Sequence, residues 1–318
     1  MRKLNGLTLD IALRARPHRA LRAETMDMRE PPLFGCIEAG GTKFVLGIGT
    51  GPHDIRATAR IPTTSPAETL EAAIAWFRAQ PPLAALGIAS FGPVDLDPAS
   101  PRWGYITATT KPGWDDTNMA GAFGRALDLP VGFDTDVNGA ILGEHRWGAA
   151  QGCDVAVYIT VGTGIGGGAM VGGRPVHGRG HPEMGHVRPA RHPDDSDFAG
   201  ICPFHGDCFE GLASGPAIQA RWGASLSELA PDHPAHAITA WYLGQLCVTL
   251  QAVLAPQRII LGGGVMATPG LIARVRDAAA RASGGYFGTG SDAVIVPPGL
   301  GDRSGLLGAL ALAERAYM

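Results

Sequence analysis

Apolar runs in this chain are short, and glycine closes most of them. Phe34-Gly-Cys-Ile-Glu-Ala-Gly-Gly-Thr-Lys-Phe-Val-Leu-Gly-Ile48 reads as strand, Gly40-Gly41 turn and strand, which predicts a hairpin. Residues 68–79 have helical spacing, with Leu70, Ile74 and Phe77 on one stripe. Residues 86–90 predict a short strand ending at Phe91-Gly92-Pro93, residues 118–127 a helix and residues 131–133 a further strand. The run Val155-Ala-Val-Tyr-Ile-Thr-Val161 predicts a buried strand that enters a turn over 162–168, followed by Ala169-Met-Val171. Strand, glycine turn, strand is thus the plan of the first hairpin repeated, and it suggests a duplicated architecture. A long apolar helix is predicted over 235–254, a strand over 258–261, a turn at Gly262-Gly-Gly264, and helices over 271–282 and 304–316. Strands mixed with helices in two halves predict an α/β protein of two lobes around a cleft, where small ligands usually bind.

Composition adds three points. Glycine supplies 46 of 318 residues, about twice the usual roughly 7%, while 45% hydrophobic content is enough for real cores. Lysine is scarce: among 26 basic residues only Lys3, Lys43 and Lys111 are lysines, so a lysine inside a motif is informative, because arginine does not replace a compact ammonium. Residues 1–31 hold seven basic and four acidic residues, against −6 for the rest of the chain. With a short helix hinted at by Leu9, Ile11, Ala12 and Leu13, they read as an N-terminal extension, largely disordered and too short for a helix-turn-helix domain.

The formal net charge of −3 argues against a binder of nucleic acid working by bulk electrostatics. No stretch is expected to supply the roughly 18–20 apolar residues of a membrane span, and residues 1–30 contain no continuous apolar signal-peptide core. Five cysteines, an odd and low number, argue against a disulfide framework and fit a reducing cytoplasm.

The glycine turns carry the first candidate chemistry. Without a Cβ in the way, backbone N–H groups can converge on an anion. Gly40-Gly41-Thr42-Lys43 adds a hydroxyl and an ammonium, although an ordinary hairpin turn with an exposed lysine explains it equally. Gly162-Thr163-Gly164-Ile165-Gly166-Gly167 matches the spacing of a dinucleotide fingerprint, but that fingerprint should open a helix, and here a strand follows. No Walker loop occurs in the chain. Phosphate binding by two hairpins across a cleft is the better expectation.

Asp134-Thr-Asp136 stands between a strand and a predicted helix. One aspartate there could face the cleft and take a proton from an attacking hydroxyl, while the other merely caps the helix. Cys202-Pro-Phe-His205-Gly-Asp-Cys208, with His186 upstream, offers two thiolates and two imidazoles, the donor set of a closed, structural zinc site. A Cys202–Cys208 disulfide is the alternative. Glu183 and Glu210 flank this knuckle and could accept hydrogen bonds from sugar hydroxyls, or could simply be solvated acids. Cys36, Cys153 and Cys247 sit in or beside apolar elements and read as core.

Taken together, Glu38-Ala-Gly-Gly-Thr-Lys43, Asp134 to Asn138, Thr160 to Gly168, Glu183-Met-Gly-His186, the Cys/His knuckle and Leu261-Gly-Gly-Gly-Val265 resemble the ROK family of repressors, open reading frames and sugar kinases. The resemblance runs in order from about residue 33 to 316. It implies the hexokinase/actin-like fold of two ribonuclease-H-like lobes: residues 32–134 with the C-terminal helix 304–318 packing back on them, and residues 135–303 with a zinc-knuckle loop at 181–211. Glu38 in place of aspartate, the Cys-Pro-Phe-His-Gly-Asp-Cys knuckle, Phe91-Gly-Pro-Val94 and Thr109-Thr-Lys-Pro-Gly-Trp114 look most like the bacterial fructokinase branch.

The roles that follow are implied by the resemblance. Asp136 is the general base. Gly40, Gly41, Thr42, Lys43, Gly162, Thr163 and Gly164 surround the phosphates, with Glu38 near Mg²⁺. Pro216, Gly262, Gly263, Gly264, Val265 and Met266 line the adenosine. Gly92, Pro93, Thr110, Lys111, Trp114, Glu183 and Glu210 approach the sugar, and His186, Cys202, His205 and Cys208 hold structural Zn²⁺. The expected partners are ATP with Mg²⁺ and a hexose, D-fructose before glucose, mannose or an N-acyl hexosamine. A homodimer in the cytoplasm is expected, with no nucleic acid and no membrane. A sugar-sensing regulator without kinase activity and a nicotinamide-dependent oxidoreductase are the rivals.

Overall fold

Two five-stranded sheets built on one plan organise the computed structural model, which describes residues 31–287 and 291–318. The expectations for residues 1–30 lie outside the described residues. In chain order the first part comprises β1 (Phe34–Ala39), β2 (Lys43–Gly51), β3 (Asp54–Pro62), α1 (Pro66–Arg78), β4 (Ala85–Ser90), β5 (Tyr105–Ile106), β6 (Thr117–Asn118), α2 (Met119–Leu127) and β7 (Val131–Thr135). It continues with α3 (Asp136–Trp147), β8 (Val155–Val161), β9 (Ile165–Val171), β10 (Arg174–Pro175), α4 (Phe209–Ala213), α5 (Gly215–Trp222) and α6 (Pro234–Leu254). The last elements are β11 (Arg258–Gly262), α7 (Leu271–Ser283), α8 (Ser291–Val294), β12 (Ile295–Val296) and α9 (Ser304–Tyr317).

The first sheet has the order β3-β2-β1-β4-β7 and the second β10-β9-β8-β11-β12. In each, three antiparallel strands come first and two parallel strands complete the other side. This is the duplicated α/β architecture of the hexokinase/actin-like fold. Parallel strands covered on both faces need apolar side chains in both directions. Accordingly every residue of β4 is buried.

Helices α3 and α9 pack on each other and join the sheets: α3 lies against β8 and β9, and α9 against β1, β2, β4 and β7. They meet through glycine, since a Cβ on Gly308 would overlap the Gly139 carbonyl oxygen. Thr135 starts α3, its side chain accepting a hydrogen bond from the Asn138 N–H at 3.1 Å. At the other end of α3, Glu144 is fully buried and accepts from the N–H groups of Ala149, Gly299 and Leu300 and from the Ser304 hydroxyl. One carboxylate thus fixes the C-terminus of α3, the segment before α9 and the first residue of α9.

Two expectations about the elements need correction, and two features had no counterpart among the expectations. Strand β3 had not been anticipated; its inward face alternates Ile55, Ala57, Ala59, Ile61 with exposed residues, as an edge strand should. The second glycine turn is confined to 162–164, because Gly166, Gly167 and Gly168 belong to β9 and lie where Val137, Met184 and the α3 backbone leave no room for a Cβ. Helix α6 is long and apolar enough to cross a membrane by length and composition, contrary to the expectation that no stretch would be. It packs on α4 and α7, and Ile238, Tyr242, Leu243, Leu246 and Leu250 are buried in the core of the second sheet. Finally, the loop between β10 and α4 has an anchor besides its candidate metal ligands. Buried Asp195 meets Arg191, Arg221 and the Tyr242 hydroxyl.

Candidate active site

A cavity of about 700 Å³ opens where the carboxyl ends of β4 and β7 face the β8–β9 turn and the loop after β10. Its wall contains Phe91, Gly92 and Pro93 from the loop after β4, Ala108 to Thr110, Thr135 to Val137 from the start of α3, and Thr160 with Gly162 to Gly167. The loop after β10 adds His181, Pro182, Glu183 and His186, and the Cys/His knuckle adds Pro203, Phe204 and Glu210.

The two aspartates separate cleanly by environment. Asp134 is 3% exposed and fully engaged. It accepts from the Thr135 N–H at 2.8 Å, from Asn138 Nδ2 at 2.8 Å and from His177 Nε2 at 3.0 Å, and its hydrogen bond holds the His177 imidazole above its usual range. Asp136 is the first residue of α3 and lines the cavity, with only the Val137 N–H donating to its Oδ1, at 2.9 Å. Neither aspartate caps the helix, since Thr135 does. Burial pushes the Asp136 carboxyl up to about 6, the Val137 N–H opposes that, and the negative charge of Glu183 adds to it. A carboxylate raised toward neutrality, partly buried in a cavity and sparingly hydrogen-bonded, is equipped to accept a proton from a bound hydroxyl.

A second carboxylate faces the same region from the first sheet. Glu38 on β1 is pushed up to about 7, first by burial and then by the charge of Asp136, with Lys43 acting in the opposite direction. Gly305 on α9 leaves the space that the Glu38 side chain occupies. Two oxygen-donor side chains short of compensating charge fit a hard divalent cation brought with phosphates.

The turns that the spacing singled out are tied together. Glu210 Oε2 accepts from the Ile165 N–H at 3.0 Å, which fixes the Gly162–Gly164 turn and commits one oxygen of Glu210 to the backbone. The Gly215 N–H donates to the Gly162 carbonyl at 2.8 Å, placing Pro216 beside that turn. Val265 packs near Gly215. Gly263 takes φ +92° directly over Val161, where a side chain would collide with the β8 backbone. Gly41, Gly162, Thr163 and Gly164 line the cavity, while Pro216 and Gly262 to Met266 are not part of its wall. Gly40 and Thr42 of the β1–β2 turn and Lys43, the exposed first residue of β2, are not part of the wall.

On the expected sugar side, Gly92, Pro93, Thr110, Glu183 and Glu210 line the cavity, and Lys111 does not. Trp114 departs from expectation. It is 0% exposed, packs on Phe44 and Phe91, and its Nε1 donates to the Thr64 carbonyl at 2.8 Å. The ring is part of the core of the first sheet and does not line the cavity. His181, Phe204 and Thr160 were missed. Phe204 is 73% exposed between two knuckle residues, and an exposed aromatic in a Cys/His loop was the available signal.

His186, Cys202, His205 and Cys208 converge, their ligand atoms lying within 4.8 Å of one another. His186 Nδ1 is 3.7 Å from Cys202 Sγ and 3.6 Å from Cys208 Sγ, and His205 Nδ1 is 3.6 Å from Cys202 Sγ. Tetrahedral bonds of about 2.3 Å to sulfur and 2.0–2.1 Å to nitrogen require S···N separations of about 3.6 Å. The donor set and its spacing fit Zn²⁺. All five cysteines are free, so the disulfide alternative is not formed.

Comparison with known proteins identifies the family. The model of the ROK family matches residues 34–316. A fructokinase of Zymomonas mobilis is 51% identical over 292 residues, covering 89% of this chain and 97% of that protein. A putative fructokinase of Bacillus subtilis is 46% identical, covering 89% and 96%. Among solved structures, the ROK hexokinase from Thermus thermophilus superposes with a TM-score of 0.73 at 28% identity, covering 89% of this chain and 98% of that one. The ROK family glucokinase from Streptomyces griseus, in complex with glucose and AMPPNP, gives 0.72 at 26% identity, covering 89% and 99%. With one family spanning nearly all the described residues and the same two-sheet fold in its solved members, the chain belongs to the ROK family.

Proposed function

We propose that the chain is an ATP-dependent sugar kinase that phosphorylates D-fructose to D-fructose 6-phosphate. The observation that carries the reading is the placement of Asp136, a carboxylate raised to about 6, on the same cavity wall as the Gly162–Gly164 turn and Glu183. Fructose as the acceptor is supported by the 39–51% identity to fructokinases of five bacteria, one of them a putative assignment.

In this mechanism the sugar lies against Gly92, Pro93, Thr110 and Glu183, with its 6-hydroxyl toward Asp136. The hydroxyl oxygen bonds to the γ-phosphorus of ATP as the bond from that phosphorus to the β–γ bridging oxygen breaks. Asp136 takes the hydroxyl proton, and ADP leaves with the bridging oxygen. The Gly40 and Gly162 N–H groups close their own turns on the Lys43 and Gly164 carbonyls, which leaves the N–H groups of Gly41, Thr163 and Gly164 to face the phosphates, and Gly262 to Met266 with Pro216 would receive the adenosine. Glu38 and Asp136 would stand near Mg²⁺, which supplies charge neutralisation on the phosphates when bound. The two lobes, residues 32–134 with helix 304–318 and residues 135–303, would close to exclude water and limit ATP hydrolysis.

His186, Cys202, His205 and Cys208 would hold a structural Zn²⁺ with no open coordination position. A homodimer in the cytoplasm completes the proposal; light scattering reads the assembly. The substrate is tested with a panel of fructose, glucose, mannose and N-acetylhexosamines, each with ATP and ADP detection. The expected result is the highest kcat/KM on fructose. A higher kcat/KM on any other hexose refutes fructose as the substrate, and no sugar-dependent ADP release refutes the kinase.

A further inference from the structure

His181 is a residue that neither the motif spacing nor the roles above account for. It stands in the loop after β10, its side chain only 10% exposed, and it reaches across the cavity mouth to the loop after β4. The backbone N–H of Val94 lies 3.2 Å from His181 Nε2. An amide N–H can only donate, so Nε2 is the acceptor and the proton of the neutral ring sits on Nδ1. That Nδ1 lies 3.4 Å from Glu183 Oε1. The far end of the contact is firm: Val94 is buried and bridges to Ile106, and the Thr107 N–H donates to the Pro93 carbonyl at 2.8 Å. Glu183 itself is held by little else. Its other oxygen, Oε2, is 4.0 Å from His186 Nε2, beyond hydrogen-bond distance.

We infer that His181 is a positioning residue: it latches the Phe91–Val94 wall of the cavity to the His181–His186 wall and sets the Glu183 carboxylate for a sugar hydroxyl. A carboxylate that must accept from one hydroxyl gains selectivity only if its rotamer is fixed before the sugar arrives. A neutral imidazole does this by accepting from the Val94 N–H and holding its Nδ1 side 3.4 Å from Glu183 Oε1, a close polar contact and not an aligned hydrogen bond. The inference rests on the sugar-kinase reading, and it concerns binding of the hexose and not the proton transfer.

The test compares the full-length wild type with His181→Leu, which removes both polar atoms, and His181→Gln, whose amide again offers an acceptor to Val94 and a donor to Glu183. Kinetics with fructose and ATP are joined by calorimetric titration of fructose alone. For His181→Leu the expected result is a rise of about 10–100-fold in the fructose KM and in its Kd, with kcat and the ATP KM within about threefold of wild type. His181→Gln should recover at least half of that change on a logarithmic scale. Fructose KM and Kd within twofold of wild type in His181→Leu overturn the latch. So does a fall confined to kcat, or a glutamine variant as impaired as the leucine. If His181→Leu does not fold, His181→Asn keeps only a donor near Nδ1; a fructose KM within twofold of wild type then overturns the proposal, and a rise of fivefold or more supports it. A wild type that phosphorylates no sugar refutes the kinase reading and the latch with it, a result distinct from an active wild type whose variants are unchanged.

Discussion

Replacing Asp136 with asparagine separates its chemical role from its structural one, because the two change in opposite directions. Asparagine keeps an oxygen for the Val137 N–H, now 2.9 Å from Oδ1, and nearly the same volume. It cannot take a proton. Loss of a positioned base lowers turnover by about 10²–10⁴-fold, so kcat for fructose phosphorylation should fall within that range while the ATP KM changes little. Stability should move the other way. The carboxyl stands at about 6 in the fold, against about 3.9 for an unfolded aspartate. The folded state therefore binds this proton more tightly. The contribution of Asp136 to stability is greatest below about pH 4, declines as pH rises toward 6 and stays lost above. Two pKa units correspond to at most about 3 kcal/mol, and partial exposure brings the expected gain in D136N to about 1–3 kcal/mol at pH 7.5. In a fold of this size that is a Tm higher by about 2–8 °C. Protonation of Asp136 alone should lower wild-type kcat/KM about tenfold by pH 5, with protonation of Glu38 adding to the fall, whereas residual D136N activity should keep only the Glu38 part of that limb. Calorimetry and coupled ADP detection on the same preparations read both effects. A D136N kcat within tenfold of wild type refutes the base, and a lower Tm refutes the account of its burial.

The zinc assignment predicts about one zinc per chain by elemental analysis, and Cys208→Ser should lose the metal and lower Tm by at least about 5 °C. Metal-free protein as stable as the metal-loaded form would contradict it. Glu144→Gln should destabilise by about 3 kcal/mol in urea unfolding, because its amide would point a donor at the N–H groups of Ala149, Gly299 and Leu300 or the Ser304 hydroxyl. A loss under 1 kcal/mol would show that those groups find other partners.

Much of this was legible in the chain because glycine and cysteine leave local marks. Gly40-Gly41 and Gly162–Gly164 closed apolar runs whose strands are where the pattern put them, and the C-x₂-H-x₂-C spacing marked the knuckle. The division of labour between Asp134 and Asp136 was not legible, since two residues of one type two positions apart differ only in what surrounds them. Asp134 meets Asn138 and a histidine 43 residues away, and Asp136 meets the cavity. Trp114 misled for the same reason: its place in a loop motif said nothing of Phe44, Phe91 and the Thr64 carbonyl, which hold it in the core. Strand β3 was readable by its alternation but sits at a sheet edge with half its side chains exposed, which weakens any hydrophobic signal. Glu144 and His181 carry out their contacts at sequence separations of 155 and 87 residues, a distance no local pattern reports.

Phosphoryl transfer from ATP to the 6-hydroxyl of fructose leaves a phosphomonoester product. Phosphorus NMR of the full-length enzyme with fructose, ATP and Mg²⁺ tests it most directly. The spectrum should show a sugar phosphomonoester that matches authentic fructose 6-phosphate and accumulates one-for-one with ADP. ADP accompanied only by inorganic phosphate, or a phosphate on another hydroxyl of fructose, would contradict it.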